Sequence, residues 1–441
     1  MDFHPLDLQE WTGGVWSKIP SSAISSFQFD TRNGVQHACF LAIPTEKEDG
    51  HRYVKAAETL GASAAIVEHE VPDCTLPQLK VENTVSAFQE IARRYRQTLP
   101  TRILALTGSA GKTSAKEFLS ILLGEHTFKS YGNQNNALGI PLSITHIDGS
   151  LHKTAVLEAG VRLPKEGDVF ASILQPDVSI LINVGPTHLE FFGQIKAVAR
   201  EKMKLINAAK ERAYVPSEWA FLSQKHPTYV FSEKKLPGQS NAILYRTCWE
   251  KGQWKCCVSS HEFSIPFPLG DLAAKTFACM IGVALQEGVS CDDIQARLLQ
   301  WKPLPNRGAW KVVHDRHYFV DCYNANPMAF ENSLQQLMRE QPHLPPVCYV
   351  IGSMLELGKN AAMFHRPLAH CFRIRPEDVF ACIGICADAL REGFLEQGAQ
   401  PSQVFTFSTT DEARAWITNL PHRYFYLKGS TAYHLEKLVA E

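Results

Sequence analysis

Residues Thr107–Thr113 read Thr-Gly-Ser-Ala-Gly-Lys-Thr and follow the apolar run Ile103–Leu106. A short apolar strand that ends in a glycine-rich turn, followed by Lys, Thr and a helix, is the layout of a phosphate cradle. In such a loop Gly108, Ser109, Ala110 and Gly111 turn backbone N–H groups towards phosphate oxygens. Lys112 adds positive charge, and the Thr113 hydroxyl suits a magnesium ion. The longer, eight-residue form of this loop would place Gly at position 106, where the chain has Leu106. The loop here is the shorter one.

Other polar residues follow apolar runs. Asn133-Gln134-Asn135-Asn136 comes after the first helix, Thr154–Leu157 delivers Glu158, and Val178–Ile182 delivers Asn183 and then His188. In an open parallel sheet ligands gather beyond the carboxyl ends of the strands, so Lys112, Glu158 and His188 are expected to converge there. Glu158 with His188 suits a divalent ion held beside a transferred phosphate; a histidine after a strand also serves as an ordinary loop residue. On the next helix Ile195, Val198, Ala199 and Ile206 form an apolar stripe, and at about 100° per residue Lys202 lies on it. A lysine there either snorkels outward or stays buried with a lowered pKa. The buried neutral amine is nucleophilic enough to form a carbamate with CO₂, which would make it an anionic metal ligand.

These residues need strands and helices to hold them. Ala115, Phe118, Leu119, Leu122 and Leu123 recur at helical spacing after the loop, and Gly124 can stop that helix. From 101 to about 306 strands and helices alternate, which predicts a mostly parallel sheet covered on both faces. Residues 213–265 read as peripheral strands, and Phe277–Leu285 as a core helix. Before this, residues 1–99 form a small α/β unit that carries two polar clusters, Asp30-Thr31-Arg32 and Asp49-Gly50-His51, both compatible with plain turn chemistry. After it, Tyr318–Val320 ends in Asp321-Cys322-Tyr323-Asn324-Ala325-Asn326-Pro327, Val347–Ile351 in Gly352-Ser353 and Tyr424–Leu427 in Lys428-Gly429-Ser430. This pattern predicts a third, Rossmann-like domain; the absence of Gly-x-Gly-x-x-Gly argues against a dehydrogenase cofactor.

Composition bounds the rest. A chain of 441 residues, 45% hydrophobic and 20% charged, holds about two to four globular domains. A net charge of −1 offers no basic excess for nucleic acid or anionic membrane. The start has no basic region followed by an apolar core, and no run of about 18 apolar residues occurs, so a cytosolic protein is expected. The 12 cysteines are scattered without paired Cys-x-x-Cys spacing and read as reduced thiols.

The phosphate loop, Asn135-Asn136, Glu158, His188, Lys202 and Asp321–Pro327 together resemble the Mur ligases over nearly the whole chain. Tyr323-Asn324-Ala325-Asn326-Pro327, Gly352–Gly358 and Lys428-Gly429-Ser430 point within that family to the branch that joins D-alanyl-D-alanine to UDP-N-acetylmuramoyl-tripeptide. The resemblance implies an α/β protein of three domains, residues 1–99, 100–306 and 307–441, in which a central P-loop-type, mostly parallel sheet precedes the Rossmann-like domain. It implies a monomeric bacterial cytoplasmic ligase that uses ATP and Mg²⁺ through an acyl phosphate. Thr31, Arg32, Asp49 and His51 would hold the UDP end. Gly108–Thr113, Asn183 near the adenine, Arg307 and Asp321 would bind ATP. Thr113, Glu158, His188 and a carbamylated Lys202 would hold metal; Lys112, Lys202 and His188 are the catalytic candidates. Asn135, Asn136, Tyr323, Asn324 and Asn326 would meet the amino-acid substrates. The chain departs from the family pattern at Leu272, Ala273 and Thr276, where the family carries His, Asn and Asn, and at Lys204, where it carries Glu. A sister ligase or a folylpolyglutamate synthase would carry different strings at 323–327. Leu272 and Ala273 motivate the alternative of a non-catalytic nucleotide-binding protein.

Overall fold

The computed structural model describes residues 2–225, 227–237 and 240–439. Their strands form three sheets of five, nine and six strands, in chain order. In the first, Val15–Trp16 pairs antiparallel with Gln78–Lys80 and the other neighbours are parallel. In the nine-stranded sheet the run from Thr127–Lys129 to Ala242–Glu250 is parallel, and two antiparallel hairpin strands, Gln253–Val258 and His261–Ile265, finish it. The six-stranded sheet is parallel apart from the edge strand Ala309–Val313. No described helix is long and apolar enough to cross a membrane.

The elements that carry polar strand ends, labelled in chain order, are β1 (Arg102–Thr107), α1 (Lys112–Leu123), β2 (Thr154–Glu158), β3 (Val178–Leu181), α2 (Ile195–Asn207), α3 (Asp271–Gln286), β4 (Arg316–Asp321), α4 (Pro327–Glu340), β5 (Val347–Gly352) and β6 (Tyr424–Lys428). β1 lies between β2 and β3 with Leu106 opposite both Glu158 and Ile180. The carboxyl ends of three strands are therefore level. β1–β3 are buried almost throughout and mostly apolar because helices cover both their faces. On one face Phe118 of α1 stacks on Phe277 of α3 at 3.8 Å between ring centroids, with Trp301 edge-on to Phe277 at 5.0 Å. On the other, α2 buries Val198, Ala199, Leu205 and Ile206.

β6 sits between β4 and β5, with Lys428 opposite both Asp321 and Ile351. The polar ends of the C-terminal sheet thus face the polar ends of the central one. Pro327 at the first turn of α4 and the Asn326 side chain, which accepts from Ala329 N at 2.9 Å, start that helix. At the junction Gly185 packs against the Met328 side chain of α4, whose Sδ an added Cβ would meet at 2.0 Å, so a larger residue there would have to displace that thioether.

Candidate active site

The phosphate loop is built by exclusion and bracing. An added Cβ at Gly108 would lie 2.4 Å from Ile182 Cγ1, and Gly111 starts α1 from a left-handed φ of +76°. Asn183 Oδ1 accepts from Ser109 N at 3.0 Å and Ala110 N at 2.9 Å, while its Nδ2 donates to Ala110 O at 2.9 Å. Asn183, expected near the adenine, thus has its amide spent on shaping the loop and is not among the residues that line the cavity. Ser109 Oγ accepts from Gly185 N at 2.9 Å and bonds Thr187 Oγ1 at 3.1 Å. Lys112 Nζ donates to Gly108 O at 3.1 Å, and burial pulls its pKa down.

Glu158 lies at the head of β2, buried, with both oxygens engaged. Thr113 Oγ1 donates to Oε2 at 2.8 Å and Asn135 Nδ2 to Oε1 at 2.6 Å. Asn136 turns its Oδ1 to Leu138 N and Gly139 N, at 3.1 and 2.8 Å, and so starts the next helix. His188 adopts a left-handed φ of +55°. Burial lowers its pKa, so the neutral ring donates from Nδ1 to Glu356 Oε2 at 2.5 Å. Its Nε2 has no partner among the described residues. Glu356 also carries a left-handed φ, +63°, and pairs with Arg162 across the domain junction. The His188 hydrogen bond, ahead of the Arg162 charge, holds the Glu356 carboxyl at about 2.

Lys202 does not snorkel. It is 0% exposed, and Nζ donates to Val161 O at 3.1 Å. Burial first, then the charge of Lys112, depresses its pKa well below 10.5. Lys204, by contrast, pairs at the surface with Asp168 at 2.6 Å and Glu201 at 3.0 Å.

From the C-terminal domain, Asp321 Oδ2 accepts from the buried Lys428 Nζ at 2.7 Å, and Arg307 lies over the Tyr323 ring at 3.8 Å. Asn324 Oδ1 accepts from Ala325 N at 2.8 Å. Asn326 is more committed than the sequence suggests: besides capping α4, it donates from Nδ2 to Ser109 O at 3.3 Å and so ties the C-terminal domain to the phosphate loop.

One cavity of about 450 Å³ unites the two domains. Ser109–Thr113, Asn135, Asn136, Glu158 and His188 line it from one side, Asp321, Tyr323, Asn324, Asn326, Glu356 and Lys428 from the other, and Arg307 at the linker. Gly108, Asn183 and Lys202 stand behind this wall. Thr31, Arg32, Asp49 and His51 do not reach it. Arg32 pairs with Asp30 at 2.7 Å. His51 is fully used: Nε2 accepts from Glu68 N at 2.8 Å, so Nδ1 carries the hydrogen and donates to Asp49 Oδ1 at 2.6 Å. Among the described residues, Asp49, His51 and His69 are the one trio with metal-ligand atoms all within 4.8 Å of one another, and this internal bonding leaves His51 no lone pair for an ion.

Several cavity residues carried no individual role in the sequence reading: Arg162, Glu356, Lys428, Asn332 and Gln336. Lys428 had a signal, a charge directly after an apolar strand. Asn332 and Gln336 had none, because polar residues one helical turn apart ordinarily face solvent.

Two family profiles match in succession: the Mur ligase middle domain over residues 106–263 and the Mur ligase glutamate ligase domain over residues 310–430. The chain is 26% identical over 379 residues to the UDP-N-acetylmuramoyl-tripeptide–D-alanyl-D-alanine ligase of Haemophilus influenzae, covering 82% of this chain and 81% of that one. It is 28% identical over 351 residues to the Bacillus subtilis ligase of the same name, with 76% and 75% covered. Among solved structures, MurF from Acinetobacter baumannii superposes with a TM-score of 0.85 at 26% identity, over 100% of this chain and 98% of that one. The MurF ligase of Thermotoga maritima in complex with ADP shares the fold, with a TM-score of 0.74 at 23% identity over 94% and 96%. Two domains of one family, matched in order and covering both halves of the cavity, place the chain: it belongs to the Mur ligases.

Proposed function

We propose that this protein is an ATP-dependent, ADP-forming ligase that joins D-alanyl-D-alanine to UDP-N-acetylmuramoyl-tripeptide in bacterial peptidoglycan synthesis. The observation that carries the reading is the single cavity walled on one side by the phosphate loop and on the other by Asp321–Asn326. The names of the relatives support the choice of substrates. In this reading residues 1–99 bind the UDP end through Thr31, Arg32 and the turn at Asp49–His51, residues 100–306 bind ATP, and residues 307–441 close over it. The proposed enzyme is a cytoplasmic monomer.

The substrate carboxylate attacks the γ-phosphoryl group of ATP, giving an acyl phosphate and ADP. The neutral amine of the dipeptide then attacks the acyl carbon, and phosphate leaves. Both steps gather negative charge, which Lys112 and the loop N–H groups stabilise by being fixed in advance. Asp321, oriented by Lys428, meets the ribose. Tyr323 and Asn324 flank the dipeptide, and Asn326 acts by holding the domains together. Docking of the C-terminal domain keeps water from the acyl phosphate.

The residues fit a magnesium ion: the Thr113 hydroxyl and the buried Glu158 carboxylate are hard oxygen donors 2.8 Å apart, and His188 keeps Nε2 unbonded. Such an ion supplies charge neutralisation at the phosphates. Lys202, buried and with its pKa pulled well below the ordinary lysine range by that burial, fits the proposed carbamate. The test is phosphate release by the purified protein with ATP and Mg²⁺. Release is expected only when both the nucleotide tripeptide and D-alanyl-D-alanine are present; release with single amino acids but not with the dipeptide would sink the assignment.

A further inference from the structure

The cavity continues past the phosphate loop into an apolar end. Leu269, Leu272, Ala273, Phe277 and Pro303 line it, together with Trp301, which is 6% exposed and whose Nε1–H is buried without an acceptor among the described residues. The central domain brings little else that is polar: the Thr276 hydroxyl donates back to Leu272 O at 2.8 Å. An apolar slot of this kind, opening from a phosphate cradle, has the chemistry to take a flat aromatic base.

The missing hydrogen-bond groups come from the other domain. Asn332 and Gln336, one turn apart on α4, line the same cavity. Their backbone partners fix which end of each amide is free. Asn332 Oδ1 accepts from Ala273 N at 2.9 Å, which leaves Nδ2 as a donor with no partner among the described residues. Gln336 Nε2 donates to Gly308 O at 3.0 Å and to Glu340 Oε1 at 2.8 Å, which leaves Oε1 as an acceptor. Gly308 is required for this arrangement: at φ +70° it has no side chain, and an added Cβ would lie 2.6 Å from Gln336 Oε1.

We propose that Asn332 and Gln336 read the adenine base, so that base selectivity resides on the C-terminal domain. A free donor beside a free acceptor complements the ring nitrogen and the exocyclic amine that adjoin on the edge of adenine. With the phosphates anchored at the loop, guanine presents those two groups with donor and acceptor exchanged. The proposal rests on the ATP reading above.

Calorimetric titration of the full chain with ATP, GTP and inorganic triphosphate, each with Mg²⁺, tests it. The unaltered protein is expected to favour ATP over GTP. Asn332→Asp keeps the acceptor for Ala273 N and removes the donor; Gln336→Met removes the acceptor. Each is expected to weaken ATP about tenfold, to narrow the preference over GTP, and to leave triphosphate binding unchanged. If the unaltered protein binds ATP and both variants keep its affinity and preference, the base-reading role is overturned. Equal losses of ATP and triphosphate would show a structural role and also overturn it. Failure of the unaltered protein to bind ATP would overturn the proposed function together with this inference.

Discussion

Lys202 is an amine sealed from water beside a second lysine, and this has a measurable cost. Its folded pKa lies well below the ordinary 10.5, so from 10.5 downward the unfolded chain binds a proton that the folded chain does not. Stability therefore rises with pH through that window, and falling pH increases the penalty at about 1.4 kcal/mol for each unit of depression. Lys202→Met is expected to raise the melting temperature in CO₂-free buffer near neutral pH, by about 2–4 °C per kcal/mol recovered, while abolishing ligation. A lower melting temperature, or retained turnover, would show that the charge cost or the proposed role is wrong. The inward direction of this side chain was legible from the stripe it shares with Val198, Ala199 and Ile206. Its acceptor, Val161 O, is 41 residues away and left no local trace. Asn183 shows the same division: its place at a strand end was legible, but its target, the loop backbone 73 and 74 residues earlier, was not.

At the scale of elements, β1, the loop and α1 could be read directly because each is fixed by neighbours in sequence: a buried apolar run, two glycines and a helical spacing. Which strands flank β1 could not, since pairing with β2 and β3 is a long-range matter. The aromatic contact between α1 and α3 is another such case. Phe118 and Phe277 each fit an amphipathic helix, but their stack, 14° from parallel, exists only in the fold. Phe118 is 0% exposed, and Phe118→Ala should destabilise the protein by about 3–5 kcal/mol in urea unfolding, through lost transfer energy and the cavity left behind. A loss below about 1 kcal/mol would mean that the helices collapse freely onto the gap.

At the scale of the molecule, the central and C-terminal domains are joined by polar contacts that all need a specific docking. Asn326 reaches Ser109 O, Asn332 reaches Ala273 N, Arg339 meets Asp271 at 2.7 Å, and Glu356 joins His188 to Arg162. The left-handed backbone at both Glu356 and His188 is held by this contact. Glu356→Ala is expected to lower kcat about tenfold or more, and to speed amide hydrogen exchange at 185–193 and 353–358, with the far-ultraviolet circular dichroism unchanged. Unchanged exchange would separate Glu356 from docking. The partners in this junction lie 168 residues apart for Glu356 and His188, which is why the sequence showed two polar strand ends and not their meeting.

The walls of the cavity belong to two bodies that the chain connects only through the segment around Trp301–Arg307. Whatever fills it touches both, and so behaves as an adhesive as much as a guest. For an inhibitor that spans the phosphate loop and α4, residence time would be governed by how often the domains part rather than by the strength of any single contact. One that occupies the loop alone would leave as freely as if the second wall were absent.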